Sequence, residues 1–407
     1  MKKVYHEEYE PALTPLTVIH EASRCLLCYD APCSKACPAK TDPAKFIRSV
    51  RFRNFKGAAE TIRTNNALGA ICARVCPTEK LCQLGCSRSG IDRPIEIGRI
   101  QRYVTDFENS CGMQILQKGT KHLGKVAIVG SGPAGLQAAA TLTQLGYDVT
   151  VFEKNANNGG YLRYGIPEYR LPNEIVDIEI KRISDLGVTF VNHKEIIDLK
   201  DLKKEFKAIL LAVGASYGKV LPIFVNNKNV ELAVDVLADI KEHNGKIDAP
   251  QNVLIIGGGD VAMDVATSLK LIGSENVTVV AREQVFEFPA SMKEFKDAHE
   301  NNVSIIDGYT PVEVEDNVVT FKHVALDATL KIKADKIILA IGQMSKLEVF
   351  ESISSNRGIV DVKKYQTSDP QIFAAGDIIQ GDKFVVAAVK YGKEAAYAIH
   401  EYLGGQK

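Results

Sequence analysis

From Lys125 onward, short apolar runs alternate with glycine turns and with longer segments whose apolar residues recur every three or four positions. KVAIVG predicts a short buried strand, LQAAATLTQLG a helix and DVTVFE a second strand. The same order returns at NVLIIG, VAMDVATSLKLIG and NVTVVARE. Two βαβ units whose turns open at Gly130 and Gly257, 127 positions apart, predict an α/β architecture of two doubly wound domains, each with a nucleotide site.

Residues 1 to about 112 show no such alternation and read as helical. DPAKFIRSVRFRNFKGAAETIRTN keeps helical spacing, with Asp42 and Pro43 as an N-cap and first-turn pair. PIEIGRIQRYVTDFENS predicts a helix from Pro94 that spaces Ile97, Ile100, Val104 and Phe107 along one face. CGMQILQKGTKHLG reads as a linker.

Composition narrows the class. Apolar residues make up 45% of the 407 positions and charged residues 25%, as in ordinary globular proteins. Lys plus Arg balances Asp plus Glu at 50 each, so no global field draws the chain to nucleic acid or anionic lipid. Apolar runs fall well short of the ~18 residues a membrane span needs. The start, MKKVYHEEYEPALTP, has no apolar stretch of the secretory kind, so the cytoplasm is expected, where disulfides rarely persist.

Against that background the cysteines stand out. Eight of nine lie between Cys25 and Cys86, spaced Cys25-x2-Cys28-x4-Cys33-x3-Cys37 and Cys72-x3-Cys76-x5-Cys82-x3-Cys86. Iron–sulfur clusters take soft thiolates in short runs, and Cys37-Pro38 and Cys76-Pro77 repeat the Cys-Pro ending of ferredoxin ligand runs. In two-cluster ferredoxins the last cysteine of a run serves the other cluster, so exchange of ligands between the groups is expected. The x4 spacing departs from the ferredoxin pattern. No histidine falls between residues 25 and 86, which excludes a mixed Cys/His zinc site there and leaves zinc held by four cysteines open. Cys25-x2-Cys28 lies in no βαβ context, against a thioredoxin-like dithiol.

VGSGPAG supplies Gly130, Gly132 and Gly135 for a tight turn, a close approach to pyrophosphate and close helix packing. Glu153 ends the next strand, where a carboxylate can accept a ribose hydroxyl. In the second turn Gly257, Gly259 and Ala262 fit G-x-G-x-x-A, and the following strand ends at Arg282 and Glu283. An acid beside a 2′-phosphate of about −1.5 to −2 charges repels it by about 1 to 4 kcal/mol at 4 Å, which favours NAD over NADP. Arg282 could stack on adenine or reach a phosphate. Near the C-terminus DPQIFAAGDI would point Asp377, after Gly376, at a ribityl hydroxyl in a two-dinucleotide flavoprotein.

Together RCLLCYDAPCSKACPAKTDPAKFI, NNALGAICARVCPTEKLCQLGC, VGSGPAG, GGYLRYGIPEYRLP, GGGDVAMD and FAAGD resemble the flavoprotein small subunit of bacterial NAD-dependent dihydropyrimidine dehydrogenase. They also resemble the N-terminal half of the single-chain animal enzyme and the small subunit of glutamate synthase. The resemblance covers about residues 12 to 403. It implies a helical domain over 1–112 with two [4Fe–4S] clusters, an FAD domain over 113–240 and 341–407, and an NAD domain over 241–340. One cluster would take Cys25, Cys28, Cys33 and Cys86, the other Cys37, Cys76, Cys82 and Gln101, leaving Cys72 and Cys111 as non-ligands. Gly159 and Gly160 would flank the flavin pyrophosphate, Gly376 and Asp377 would hold the flavin, and Asp260 and Asp264 would border the nicotinamide. Where NADP-using relatives show consecutive basic residues, this chain has Arg282 then Glu283, with Pro289 following, and that favours the NAD-linked bacterial enzyme.

The resulting expectation is an electron-input subunit: NADH to FAD to the clusters to a large partner with FMN and iron–sulfur centres, in a heterotetramer that interconverts uracil or thymine and the 5,6-dihydro forms. Hydride chemistry belongs to the cofactors, so no side chain is assigned a definite acid or base role, and Asp260 and Asp264 are the candidate catalytic residues. Too few residues remain for an FMN barrel of ~250, so the pyrimidine site belongs to the partner. The alternative is the small subunit of a glutamate synthase. A third reading, a redox-sensing flavoprotein with structural zinc, has no electron exit.

Overall fold

A computed structural model describes residues 4–347, 350 and 353–405. The chain divides into two compact units, one of residues 1–9, 163–172 and 215–344, the other of 10–162, 173–214 and 345–407.

The larger unit holds the cysteine module and the first glycine turn. Its sheet is parallel throughout, in the order Ile372–Ala374, Ala208–Leu211, Lys125–Val129, Asp148–Phe152, Thr189–Val191. Ala208–Leu211 is buried along its length, as a strand covered on both faces must be. The helices Pro133–Leu145 and Val385–Tyr402 pack on one another, and a Cβ on Gly392 would run into the Ala134 carbonyl.

The module in front of this sheet is helical, as its periodicity predicts, with two differences in detail. The segment from Asp42 forms two helices, Pro43–Arg51 and Phe55–Asn65. Asp42 caps the first through Lys45 N at 3.3 Å, and Arg53 turns left-handed so that Asn54 can cap the second through Gly57 N at 2.9 Å. The later helix runs Ile97–Ser110 and does not begin at Pro94. Glu21 accepts from Glu96 N at 2.9 Å and pairs with Arg93, which holds the intervening residues outside the helix.

A buried ion cluster ties the module to the sheet's helices. Arg63 bonds Glu108 on the module helix Ile97–Ser110 at 2.7 Å and Glu179 on Asn173–Asp185 at 2.7 Å, with all three side chains shielded from water. Arg182 adds a second cation 3.1 Å from Glu108. The carboxylates hold the Arg63 proton against a burial penalty, and removing one partner of such a cluster costs about 3–5 kcal/mol. Glu179 also accepts from Ala70 N at 3.2 Å, capping the short helix Gly69–Val75 that leads to Cys76.

The smaller unit carries the second parallel sheet, in the order Val230–Leu232, Lys336–Leu339, Asn252–Ile256, Asn276–Val280, Ser304–Ile306. A three-stranded antiparallel sheet, Tyr309–Glu315, Val318–His323 and Thr329–Lys333, covers one side of its core through Val319 and Phe321. The strap 163–172 lies in this unit and is fixed by buried charge. Lys241 Nζ donates to the carbonyls of Ile166 at 2.5 Å and Leu171 at 2.9 Å. Arg170 bonds Asp264 at 2.6 and 2.8 Å and also Glu294.

Candidate functional site

The loops between and beyond the short module helices bring the cysteines into two neighbourhoods that cut across their order in the chain. Burial pushes the Cys25 thiol up, and the nearby Cys86 and Cys28 push it further. Cys33 rises to about 11, through burial and then Cys86 and Cys25. Cys28 Sγ lies 3.5 Å from Ser87 Oγ, next to Cys86. The second neighbourhood holds Cys37, Cys76 and Cys82. Cys82 rises to about 12 through burial, then Cys37 and Cys33. Cys76 is raised first by a hydrogen bond with Cys72, then by burial and by Cys82 and Cys37. Cys72 thus stands in the second group although the resemblance gives it no role. Gln101 is buried, and its Nε2 donates to the Gly69 carbonyl at 2.8 Å, beside the helix that carries Cys72.

Among the described residues no three His, Cys, Asp or Glu side chains close round a single metal-ion position. The fit therefore rests on the donor chemistry. Thiols that oppose one another's ionisation are what a cationic iron–sulfur core would relieve, and sets of soft thiolates suit such a core. Cys111 is exposed and stands apart, at the end of the helix Ile97–Ser110.

In the larger unit's turn, a Cβ on Gly135 would run into the Gly130 carbonyl oxygen, so strand and helix touch there. A Cβ on Gly132 would meet nothing within 4 Å, whereas one on Gly160, left-handed at φ 53°, would lie only 3.0 Å from the Gly132 Cα. Gly159 N donates to Ser131 O at 3.1 Å, so the two loops form one cradle. Glu153 lies at its floor, 5% exposed. It accepts from Ser131 N at 3.0 Å and Oγ at 2.6 Å, and from Asn155 N at 3.0 Å. The sequence marks Glu153 as a hydroxyl acceptor; the structure shows that it also fixes the turn. Asp377 follows Gly376 in a short 3₁₀ turn, and its partly buried carboxylate has no hydrogen-bond partner among the described residues. Burial pushes that carboxylate up and nearby Lys383 pulls it down. An open glycine cradle and an unclaimed carboxylate suit a flavin dinucleotide's pyrophosphate and polyol. Lys383 Nζ, bonded to the Asp377 carbonyl at 2.7 Å, has no motif that marks it in the sequence.

The second turn is built differently. Gly257 takes φ 135°, and a Cβ there would meet the Ala340 carbonyl. A Cβ on Gly259 would meet only Pro289 Cγ, at 4.0 Å, and Ala262 is fully buried. Asp260, first in the helix Asp260–Ile272, accepts from Ser291 N at 2.6 Å and so pins the 288–291 loop beside the turn. Asp264, one turn on, is committed to Arg170. At the strand end Arg282 pairs with Glu283 at 3.0 Å, so the strand-end acid is partly neutralised by its neighbour. The open turn and the strand-end acid suit an adenosine pyrophosphate.

Two families match the chain: pyridine nucleotide-disulphide oxidoreductase over residues 124–392, and dihydropyrimidine dehydrogenase domain II, 4Fe-4S cluster, over residues 2–113. The NAD-dependent dihydropyrimidine dehydrogenase subunit PreT of Escherichia coli O157:H7 is 62% identical over 404 residues, 98% of each chain. That of Salmonella typhimurium is 59% identical over 402 residues, covering 98% of this chain and 97% of its own. Among solved structures, T. acidophilum thioredoxin reductase superposes with a TM-score of 0.57 at 19% identity, over 68% of this chain and 97% of its own. A 2-naphthoyl-CoA reductase gives 0.58 at 18%, over 86% and 51%. These two likenesses are of fold alone. The cysteine module, the two glycine turns and near-complete coverage at high identity place the chain in the family of the PreT subunit of NAD-dependent dihydropyrimidine dehydrogenase.

Proposed function

We propose that the chain takes reducing equivalents from NADH and delivers them to a partner subunit that interconverts uracil or thymine and the 5,6-dihydro forms. The observation that carries this is the shared build of the flavin cradle and the cysteine module within one unit. Gln137, behind the Gly130 turn, accepts from Ala67 N at 2.9 Å. Lys393, on the helix Val385–Tyr402, donates to Asn65 O at 3.0 Å and lies near Cys37. From Cys37 the neighbouring thiols run through Cys82 and Cys33 to Cys86 and Cys25. When bound, NAD, FAD and the iron–sulfur clusters supply the hydride and one-electron chemistry.

The residues divide as follows. Cys25, Cys28, Cys33 and Cys86 would hold one [4Fe–4S] cluster; Cys37, Cys76, Cys82 and Gln101 would hold a second. Gly130, Gly132, Gly135, Gly159 and Gly160 shape the flavin phosphate cradle, with Glu153, Gly376 and Asp377 at the hydroxyls. Gly257, Gly259 and Ala262 would take the NAD pyrophosphate, with Arg282 and Glu283 at its adenosine end. Asp260 and Asp264 act as positioning residues, one on the 288–291 loop and one on the strap. The resemblance sets the domain limits at 1–112 for the module, 113–240 and 341–407 for the flavin domain and 241–340 for the NAD domain, but residues 163–172 and 215–240, with the sheet strand Val230–Leu232, lie in the smaller unit, so the NAD domain would begin near 215.

The partner would be a large FMN and iron–sulfur subunit carrying the pyrimidine site, in a cytoplasmic heterotetramer. No helix among the described residues is long and apolar enough to cross a membrane. Anaerobic co-purification with that partner tests the reading. NADH oxidation should proceed with uracil and not with glutamine plus 2-oxoglutarate, and iron and acid-labile sulfide should match two clusters per chain. Turnover only with glutamine and 2-oxoglutarate would move the chain to glutamate synthase.

A further inference from the structure

We propose that the side-chain amide of Asn66, in the cysteine module, donates a hydrogen bond to a carbonyl of the bound flavin's isoalloxazine ring. This rests on the flavin site proposed above and adds to it a residue from outside the nucleotide-binding fold.

The first observation is an orphan donor. Asn66 is fully buried, and among the described residues its Nδ2 has no hydrogen-bond partner. Its Oδ1 accepts from Leu68 N at 2.9 Å, which fixes how the amide is turned. The other way round, two donors would face each other at Leu68. A buried amide nitrogen normally has an acceptor, so one that finds none within the protein marks a place for an acceptor that the protein binds.

The second observation is that the polar groups around this amide are already taken. Lys393 donates to Asn65 O at 3.0 Å, and Asn66 N donates to Ile62 O at 2.9 Å. Ala67 N donates to Gln137 Oε1 at 2.9 Å, and Ala67 O accepts from Arg63 Nη1 at 2.6 Å. Gly69 O accepts from Gln101, and Ala70 N donates to Glu179. Residues 65–70 are therefore tied both to the module and to the sheet's helices. A donor held in place before its acceptor arrives loses little freedom on binding.

The third observation is the place. A Cβ on Gly392 would run into the Ala134 carbonyl, and one on Gly376 would lie 3.0 Å from Ala134 Cβ. The Gly376–Asp377 turn, the first turn of the helix Pro133–Leu145 and the helix Val385–Tyr402 thus meet at Ala134. Gln137 follows three residues after Ala134 on the same helix, and Lys393 directly follows Gly392. These are the two side chains that hold Ala67 and Asn65, so Asn66 stands beside the point where the flavin motifs converge. With the pyrophosphate given to the Gly130 turn and the polyol to Asp377, the ring's carbonyls are flavin acceptors still without a donor. A cluster in the second thiol group is the weaker candidate. Sulfur accepts hydrogen bonds poorly, and the amide given to that group, Gln101, comes from another helix.

The test uses the full-length holoprotein. Asn66→Ser keeps a hydroxyl for Leu68 N and removes the donor, so it should weaken flavin binding about tenfold, read by the fluorescence of released flavin. It should also lower the flavin's midpoint potential, because reduction places charge on the ring carbonyls. Asn66→Asp keeps the Leu68 bond and turns an acceptor toward the ring, for a loss of about a hundredfold. In Asn66→Ser the iron content and the electron paramagnetic resonance of the reduced clusters should stay as in the wild type, which separates a lost contact from lost folding. Wild-type flavin affinity and potential in both variants would overturn the proposal and leave the flavin site standing. Unaltered flavin with a changed cluster resonance would overturn it too and give the amide to a cluster. A wild-type holoprotein that held no flavin would sink the flavin site and the proposal together.

Discussion

The two glycine turns occupy the same place in two parallel sheets, yet they are closed by different means. In the first, backbone touches backbone at Gly135 and Gly130, and Glu153 is sunk beneath the turn with three hydrogen bonds to it and its own loop. In the second, Ala262 stands where Gly135 stands in the first, and the strand-end acid is partly exposed and paired with Arg282. Two residues further on, the first unit has a neutral Gln137, bonded to Ala67, and the second has Asp264, bonded to Arg170. The first turn is packed like a core, which suits a cofactor that never leaves. The second is looser and more exposed, which suits one that exchanges at every turnover.

The largest effect that could break this comparison is at Gly135. Gly135→Ala forces the helix off the strand and should cost about 3 kcal/mol or more, with loss of bound flavin. Ala262→Gly in the other turn should cost only about 1 kcal/mol of helix stability. Thermal melts and the flavin-to-protein ratio read both. If the two variants melted alike, the contrast in packing would have no energetic content.

Glu153→Gln comes next. It trades a buried carboxylate that accepts three bonds for an amide that can accept fewer, at about 2 kcal/mol, or roughly thirtyfold in flavin affinity. Flavin release followed by fluorescence would show it; retention at wild-type strength would mean the acid does not hold the turn.

In the second unit the strap hangs on charge, so pH should matter there. Burial pushes Lys241 down to about 7, with Glu168 pulling the other way. A free lysine titrates near ~10.4, so between about pH 7 and that value the unfolded chain binds more protons than the folded one, and stability rises with pH. Relative to Lys241→Met, the wild type should gain about 1–2 kcal/mol from pH 7 to 9. Parallel denaturation curves for the two proteins across that window would remove Lys241 as a titrating anchor.

The smallest effect is at the adenosine end. Glu283→Arg should raise the NADPH-to-NADH ratio of kcat/KM about tenfold, the low end of what one unit charge does at contact in a partly screened site. Arg282 already offsets part of the Glu283 charge, which keeps the shift small. An unmoved ratio would mean that this pair does not face the ribose.

Both turns were legible in the sequence because they are local. A strand, a fixed glycine spacing and a helix lie within one stretch, and periodicity reports each. The Asp42 cap was legible for the same reason. The break at Arg53 and Asn54 was not, because apolar spacing continues across it while the backbone turns. The helix start at Ile97 was hidden too, since Glu21, far away in the chain, decides it. The Arg63 cluster and the place of the strap 163–172 depend on partners more than 60 residues distant for at least one member, and no local pattern carries them. The grouping of thiols could be suspected from the ferredoxin habit of exchanged ligands, but the nearness of Cys72 to Cys76 appears only in three dimensions.

Glu179 has a bearing on how such chains can be recombined. It belongs to the flavin half by position, yet its carboxylate is the counter-ion of a module arginine and the cap of a module helix. A cut between the halves would strand Arg63 with half its charge unmet and leave Ala70 N without its acceptor. Transplanting the cysteine module onto another flavoprotein would therefore require carrying Glu179 along with it, and the unit of exchange is larger than the stretch of chain that holds the cysteines.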